Sequence, residues 1–167
     1  RIILKTETRI KSNNKMKKNN ILFFTIIVLF LSCTKENQNY KTFKDSKWNS
    51  DDVIGFNIEV SDSTILYNSN ISIRHLKTYS FQNIIMLNQH YFKENHISTD
   101  TIEILLSEDD GKWNGVGKSD IIEFTHLINP PNNYQNGIHS FRLELSMRDN
   151  NTTHFEFIEG VSDISFY

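Results

Sequence analysis

Six histidines, at positions 75, 90, 96, 126, 139 and 154, are the side chains best suited to proton transfer or metal binding. None stands in HxH or HExxH spacing, and the single cysteine, Cys33, has no second thiolate with which to share a zinc ion. Asp109-Asp110-Gly111 offers carboxylate oxygens, but Lys112 and Trp113 interrupt the regular ligand spacing that a calcium loop needs. A plain turn is the expectation there. No GxSxG elbow, P-loop or glycine-rich dinucleotide loop occurs, so neither catalysis nor a cofactor is expected. The glycines at 111, 115 and 117 read as backbone devices that permit positive φ, with Trp113 folding back as a loop anchor. Trp113 with Tyr134, or Trp48 with Tyr79, would make a sugar-stacking platform if exposed. Trp is mostly buried in folded proteins, so burial is the expectation. The same aromatics exposed on one face would suit a protein partner.

Cys33 has its own chemistry. It closes an uncharged run, Ile21 to Ser32, that follows the cationic head Met16-Lys17-Lys18. A membrane span needs about 20 apolar residues, and this run supplies little more than half of that. A short cationic head, an apolar stretch and a small-residue exit make a secretory signal peptide. The Leu31-Ser32-Cys33 ending resembles a bacterial lipobox, in which the thiol receives a diacylglyceryl group and the cysteine becomes the new N-terminus. Residues 16–32 are therefore expected to be a lipoprotein signal helix, with lipidation at Cys33 and palmitate-type chains anchoring the protein. Residues 1–15 precede the plausible initiator Met16 and are read as a spurious upstream extension.

The elements that would position any site come from residues 48–167. From Cys33 onward eleven Lys or Arg face nineteen Asp or Glu, a net charge of −8 with His neutral. An acidic body without a basic patch excludes nucleic acid as a natural partner and leaves membrane attachment to the lipid. Residues 33–47 are polar and aperiodic, which predicts a lipidated tether. Beyond it the apolar period is two. Ile54, Phe56, Ile58 and Val60 alternate with polar residues or glycine, and Phe141, Leu143, Leu145 and Met147 alternate with Arg142, Glu144 and Ser146. Ile102, Ile104 and Leu106 repeat the spacing, and Ile84 to Leu87 is apolar on both faces, as in a central strand. Further short strands are predicted at 65–67, 71–76, 121–127, 154–158 and 161–166. The chain has no alanine and is rich in β-branched and aromatic residues. Turn chemistry at Asp51-Asp52, Asn68-Ser69-Asn70, Asp109-Asp110-Gly111, Asn129 to Asn133, Asn136-Gly137 and Asp149 to Asn151 punctuates it. The expected fold is all-β, a single β-sandwich of jelly-roll or immunoglobulin-like topology.

One set of residues carries a resemblance. Asp100-Thr101 opens a strand, and Asp110-Gly111-x-Trp113-x-Gly115-x-Gly117 is followed by Asp120-Ile121. Near the end Glu159-Gly160-Val161-x-Asp163 precedes a last strand. With the lipoprotein leader, this pattern resembles the gliding motility lipoprotein GldH family of the Bacteroidetes, from about Trp48 to Phe166. The resemblance implies a non-catalytic envelope lipoprotein required for gliding, linked to the type IX secretion machinery, with other gliding and secretion proteins as partners. It makes Asp110, Gly111, Trp113, Gly115, Gly117 and Asp120 the candidate interaction loop. The outer membrane, periplasmic face, is the expected location. Asp62-Ser63-Thr64 and Asp100-Thr101-Ile102 resemble O-glycan acceptors of that phylum, at Ser63 and Thr101, though an ordinary turn with a capping hydroxyl is the favoured reading of both. The alternative reading is a carbohydrate-binding module at the envelope.

Overall fold

The computed structural model describes residues 39–149 and 153–167. The leader, Cys33 and the first part of the expected tether lie outside the described residues, as does the Asn150-Asn151 end of one expected turn. Within the described residues the fold is all-β, as the alternating pattern predicts, with eleven strands and one short 3-10 turn at Lys44–Ser46. Every strand pairing is antiparallel.

The strands are β1 (Tyr40–Thr42), β2 (Lys47–Asn49), β3 (Ile54–Val60), β4 (Tyr67–Leu76), β5 (Asn83–Phe92) and β6 (Asn95–Leu105). β7 (Val116–Lys118), β8 (Ile121–Asn132), β9 (Gly137–Leu145), β10 (Phe157–Glu159) and β11 (Val161–Phe166) complete the chain. One large sheet has the order β1-β11-β4-β8-β7 and the other β3-β9-β5-β6, while β2 and β10 pair as a two-stranded sheet. The pairings nest: β1 with β11, β3 with β9, β4 with β8, β5 with β6. A long hairpin rolled up so that its two arms alternate between two sheets is a jelly roll. That nesting settles the choice of topology in favour of the jelly roll.

The core lies between the sheets. Ile71, Ile73, Ile164 and Phe166 face Ile54, Phe56, Ile84, Met86, Phe141 and Leu143, all buried. Phe166 of β11 stacks on Phe141 of the opposite sheet at 4.3 Å and on Phe56 at 5.9 Å between ring centroids. Polar residues occupy the alternate positions, as one-sided burial of a pleated strand requires. Ile84 and Met86 are buried while Ile85 and Leu87 are only partly covered, in a strand flanked on both sides by β9 and β6.

Three expectations give way. Residues 40–47, expected within the tether, carry β1, whose pairing with β11 makes it part of the sheet. Phe43 is 5% exposed and stacks on Trp48 at 5.1 Å, so an aperiodic polar stretch was hiding one apolar anchor. Asn68-Ser69-Asn70 and Asn129 to Asn132, expected as turns, run as strand in β4 and β8. Both fall where the register slips, between Tyr67 and Ser69 and between Ser69 and Asn70. A proline pair without N–H donors is tolerated at such a break in the ladder. Ile65 and Leu66, expected to start a strand, are exposed and precede β4.

Candidate functional site

The loop from Ser107 to Asp120 is built in two steps. A small hairpin comes first. Ser107 and Trp113 form an antiparallel bridge, the Gly111 amide donates to the Glu108 carbonyl at 2.9 Å, and the Glu108 amide to the Lys112 carbonyl at 2.9 Å. The Asp110 carboxylate accepts the Lys112 amide at 2.9 Å, closing an Asx-type turn, and Gly111 takes φ +81°. Asp110 therefore serves its own backbone. Asn114 then fastens the hairpin to β6: its amide donates to the Leu106 carbonyl at 2.8 Å and its side chain to the Leu105 carbonyl at 3.1 Å.

The chain next turns into β7 against β8. Gly115 has φ +99°, and a Cβ there would collide with the Glu123 carbonyl. Only glycine can lie that close to the neighbouring strand. Gly117, expected to permit positive φ, does not adopt it, and a Cβ there would meet the Ile122 side chain, which is flexible and can shift. Asp120 contributes through its backbone, its carbonyl accepting the Lys77 amide at 2.9 Å, while the side chain is exposed.

Trp113 is half-buried and joins the core cluster. Its ring stands edge-on to His75 at 4.6 Å, and His75 also meets Tyr79 at 5.7 Å. His75 is fully buried. Its Nδ1 lies 3.0 Å from the Leu76 carbonyl, which can only accept, so Nδ1 carries the proton. Nε2 then presents a lone pair that has no partner among the described residues. Burial pushes the imidazole below its ordinary pKa, only partly offset by the bond to Leu76. Burial also raises the Tyr79 phenol well above its ordinary value. The loop is thus a cap over one end of the sandwich, with glycines for clearance and a tryptophan as its anchor.

The opposite end holds what the sequence did not reveal. His90 and His139 come from β5 and β9, with Nε2 of the first 2.9 Å from Nδ1 of the second. His139 Nε2 donates to the Gln135 carbonyl at 2.8 Å, so its Nδ1 accepts the His90 proton when both rings are neutral. Burial lowers the His90 pKa, and the neighbouring His139 lowers it further against a smaller opposite pull from Asp100. Phe92 stacks on His139 at 4.6 Å, and Tyr134 meets His90 and His139 edge-on. Tyr134 also lies 3.1 Å from the Ser69 hydroxyl. A cleft beside the pair is lined by Phe92, Asn132, Asn133, Tyr134 and Gln135. The pairing arises from register across a sheet, and 49 residues separate the two histidines. No local spacing could have announced it. Among the described residues no three His, Cys, Asp or Glu converge to hold a metal.

The aromatic pairs form no sugar-stacking platform, in line with the expected burial. Trp48 is fully buried and Tyr79 is 4% exposed, so their ring faces are committed to the core. Trp113 meets His75 near the end of β4, whereas Tyr134 meets Tyr67 and bonds Ser69 near its start. At about 3.3 Å per residue, those anchor points stand about 20 Å apart.

Two acceptor hydroxyls remain. Ser63 sits exposed in a turn where the Asp62 carboxylate accepts the Thr64 amide at 2.8 Å and its hydroxyl at 2.6 Å. Those bonds hold the Asp62 carboxyl below the usual range. Thr101 lies exposed on β6. On the outer face of the larger sheet Arg74 sits between Asp163, 3.5 Å away, and Glu123, 3.8 Å away. Beside it runs a shallow groove lined by Val116, Lys118, Ile121 and Thr125.

Comparison with known proteins completes the picture. The family model described as GldH lipoprotein matches residues 35–166. A gliding motility lipoprotein GldH homolog of Christiangramia forsetii is 25% identical over 147 residues, covering 87% of this chain and 91% of that protein. The gliding motility lipoprotein GldH of Flavobacterium johnsoniae is 28% identical over 155 residues, covering 91% and 96% respectively. No solved structure matches.

Proposed function

The chain belongs to the GldH lipoprotein family, and from that premise we propose that it is a lipid-anchored, non-catalytic component of the gliding apparatus, acting as an accessory of type IX secretion. The observation that carries this reading is the match over residues 35–166 to a family whose relatives are named for gliding motility. The described body supports it in a second way. The polar groups that could do chemistry are engaged in structure: buried His75 on a core edge, exposed Asp110 on its own turn, and half-buried His90 with buried His139 on each other. Such a body works by being held in place and recognised.

The lipid on Cys33 would confine the domain to the outer membrane, on the periplasmic face, and raise its effective concentration near membrane partners. The Ser107–Asp120 cap is the first candidate for the recognised surface. Its Glu108, Asp109, Asp110 and Lys112 side chains are exposed, while Trp113 holds the loop in shape. The test is genetic. Deleting the gene should stop colony spreading and adhesin secretion, the wild-type gene should restore both, and Cys33→Ala should restore neither although the protein accumulates. Normal spreading by the deletion strain would remove this reading.

A further inference from the structure

β6 is an edge strand of unusual character. It spans eleven residues and, among the described residues, pairs only with β5. The other edges are shorter: β1 and β7 have three residues each, and β3 has seven and contains Gly55. Proteins blunt exposed edges with proline, lysine, bulges or brevity, because free N–H and C=O groups template another strand. Between Ser98 and Leu105 β6 has no proline, lysine or glycine, and its ladder with β5 is regular; the single slip lies at its start.

Which groups face the free side follows from one bond. The Leu106 amide donates across to the Gln82 carbonyl, on the β5 side. Backbone direction alternates along a strand, so Ile104, Ile102 and Asp100 also point to β5. Thr99, Thr101, Glu103 and Leu105 present their N–H and C=O groups outward. The Leu105 carbonyl confirms the phase, since it accepts from Asn114 outside the β5 ladder.

We propose that this edge joins a second copy of the chain, with two β6 strands antiparallel across a two-fold axis at Thr101. In that register Thr101 faces Thr101, and Thr99 faces Glu103. Leu105, 59% exposed in the single chain, lies on the same face as Thr101 and Glu103, beside the pairing. Neither acidic residue meets another: Glu103 faces a threonine, and Asp100 faces Ile102. Thr99, Thr101 and Glu103 become hydrogen-bonded partners, the Leu105 carbonyl stays with Asn114, and two four-stranded sheets become one of eight. The interface is isologous, so the contact closes and does not propagate into a fibre. Two acidic bodies repel, and salt screens that repulsion, so dimer formation strengthens as ionic strength rises. An O-glycan on Thr101 would stand on the axis and forbid the contact.

The full chain, purified in mild detergent, is the material for the test. Thr101→Cys places two thiols on the axis at a Cα separation of about 5.5 Å, within disulfide range. Glu103→Cys places its own pair more than about 12 Å apart. Under mild oxidation Thr101→Cys should give a covalent dimer, and Glu103→Cys alone should not. Mixing Glu103→Cys with Thr99→Cys should restore the crosslink. Thr101→Lys sets two ammonium groups against each other on the axis, and Thr101→Pro removes an amide that β5 does not use. Both should sediment as monomers while melting cooperatively. A wild-type chain that sediments as a monomer, or equal crosslinking from Thr101→Cys and Glu103→Cys, would overturn the proposal.

Discussion

Gly115 and Gly111 look alike in the sequence and do different work. Both have positive φ, but only at Gly115 does a side chain strike backbone. Gly111→Ala should cost about 1 kcal/mol, the strain of a left-handed residue with open space around it. Gly115→Ala adds the collision with the Glu123 carbonyl and should cost at least about 2 kcal/mol. Urea unfolding of the two variants measures the difference. His75 supplies a pH effect of definite sign. Its folded-state pKa lies below the ordinary 6.5, so below that pH the unfolded chain takes up more protons than the folded one. Stability is full above pH 6.5 and falls as pH drops below it toward the folded value. His90 is shifted the same way and adds to the fall. Melting temperature followed from pH 7.5 to 5 should show the decline, and His75→Phe should make it shallower while leaving the part that belongs to His90. An unchanged slope would mean that His75 is not the buried neutral group described.

Strands were legible where one face is buried along their whole length. β3 and β9 alternate cleanly, and Phe141 and Leu143 were readable as one buried face before any fold was known. The ends of β4 and β8 were not readable. Asn, Ser and Pro are turn residues by local preference, and only the pairing of the two strands holds them extended. β1 was missed for a related reason, because its three residues are all exposed and gain their place from β11 alone. The Trp113 loop was legible as a turn with an anchor, since its glycine spacing is local. The His90–His139 pair was invisible, since two distant strands must be set in register to create it. Elements also differ in what they bear. Trp48, fully buried on β2, stacks on Phe43 and donates to the Asp52 carbonyl at 3.1 Å. Trp48→Ala should cost about 3–5 kcal/mol. Val116→Ala, on an edge strand and 81% exposed, should stay within about 0.5 kcal/mol. Paired denaturation curves check both.

At the scale of the molecule, the nested pairings bring together residues far apart in the chain. β1 can form only after β11 exists, so folding must close the longest loops before its reward arrives, and refolding should fall in the millisecond-to-second range typical of such topologies. Stopped-flow tryptophan fluorescence would show it, because Trp48 becomes buried near the seam where first and last strands meet. The same nesting sets the two ends of the body side by side: the Phe166 amide donates to the Asn39 carbonyl at 2.9 Å. A reporter fused after Tyr167 would therefore stand where the chain enters the body and crowd whatever lies ahead of Asn39. A label in the turn at Ser63 avoids that crowding. Circular permutation becomes feasible too, with a short bridge from Tyr167 to Asn39 and new ends cut at Ser63, keeping every pairing of the roll intact.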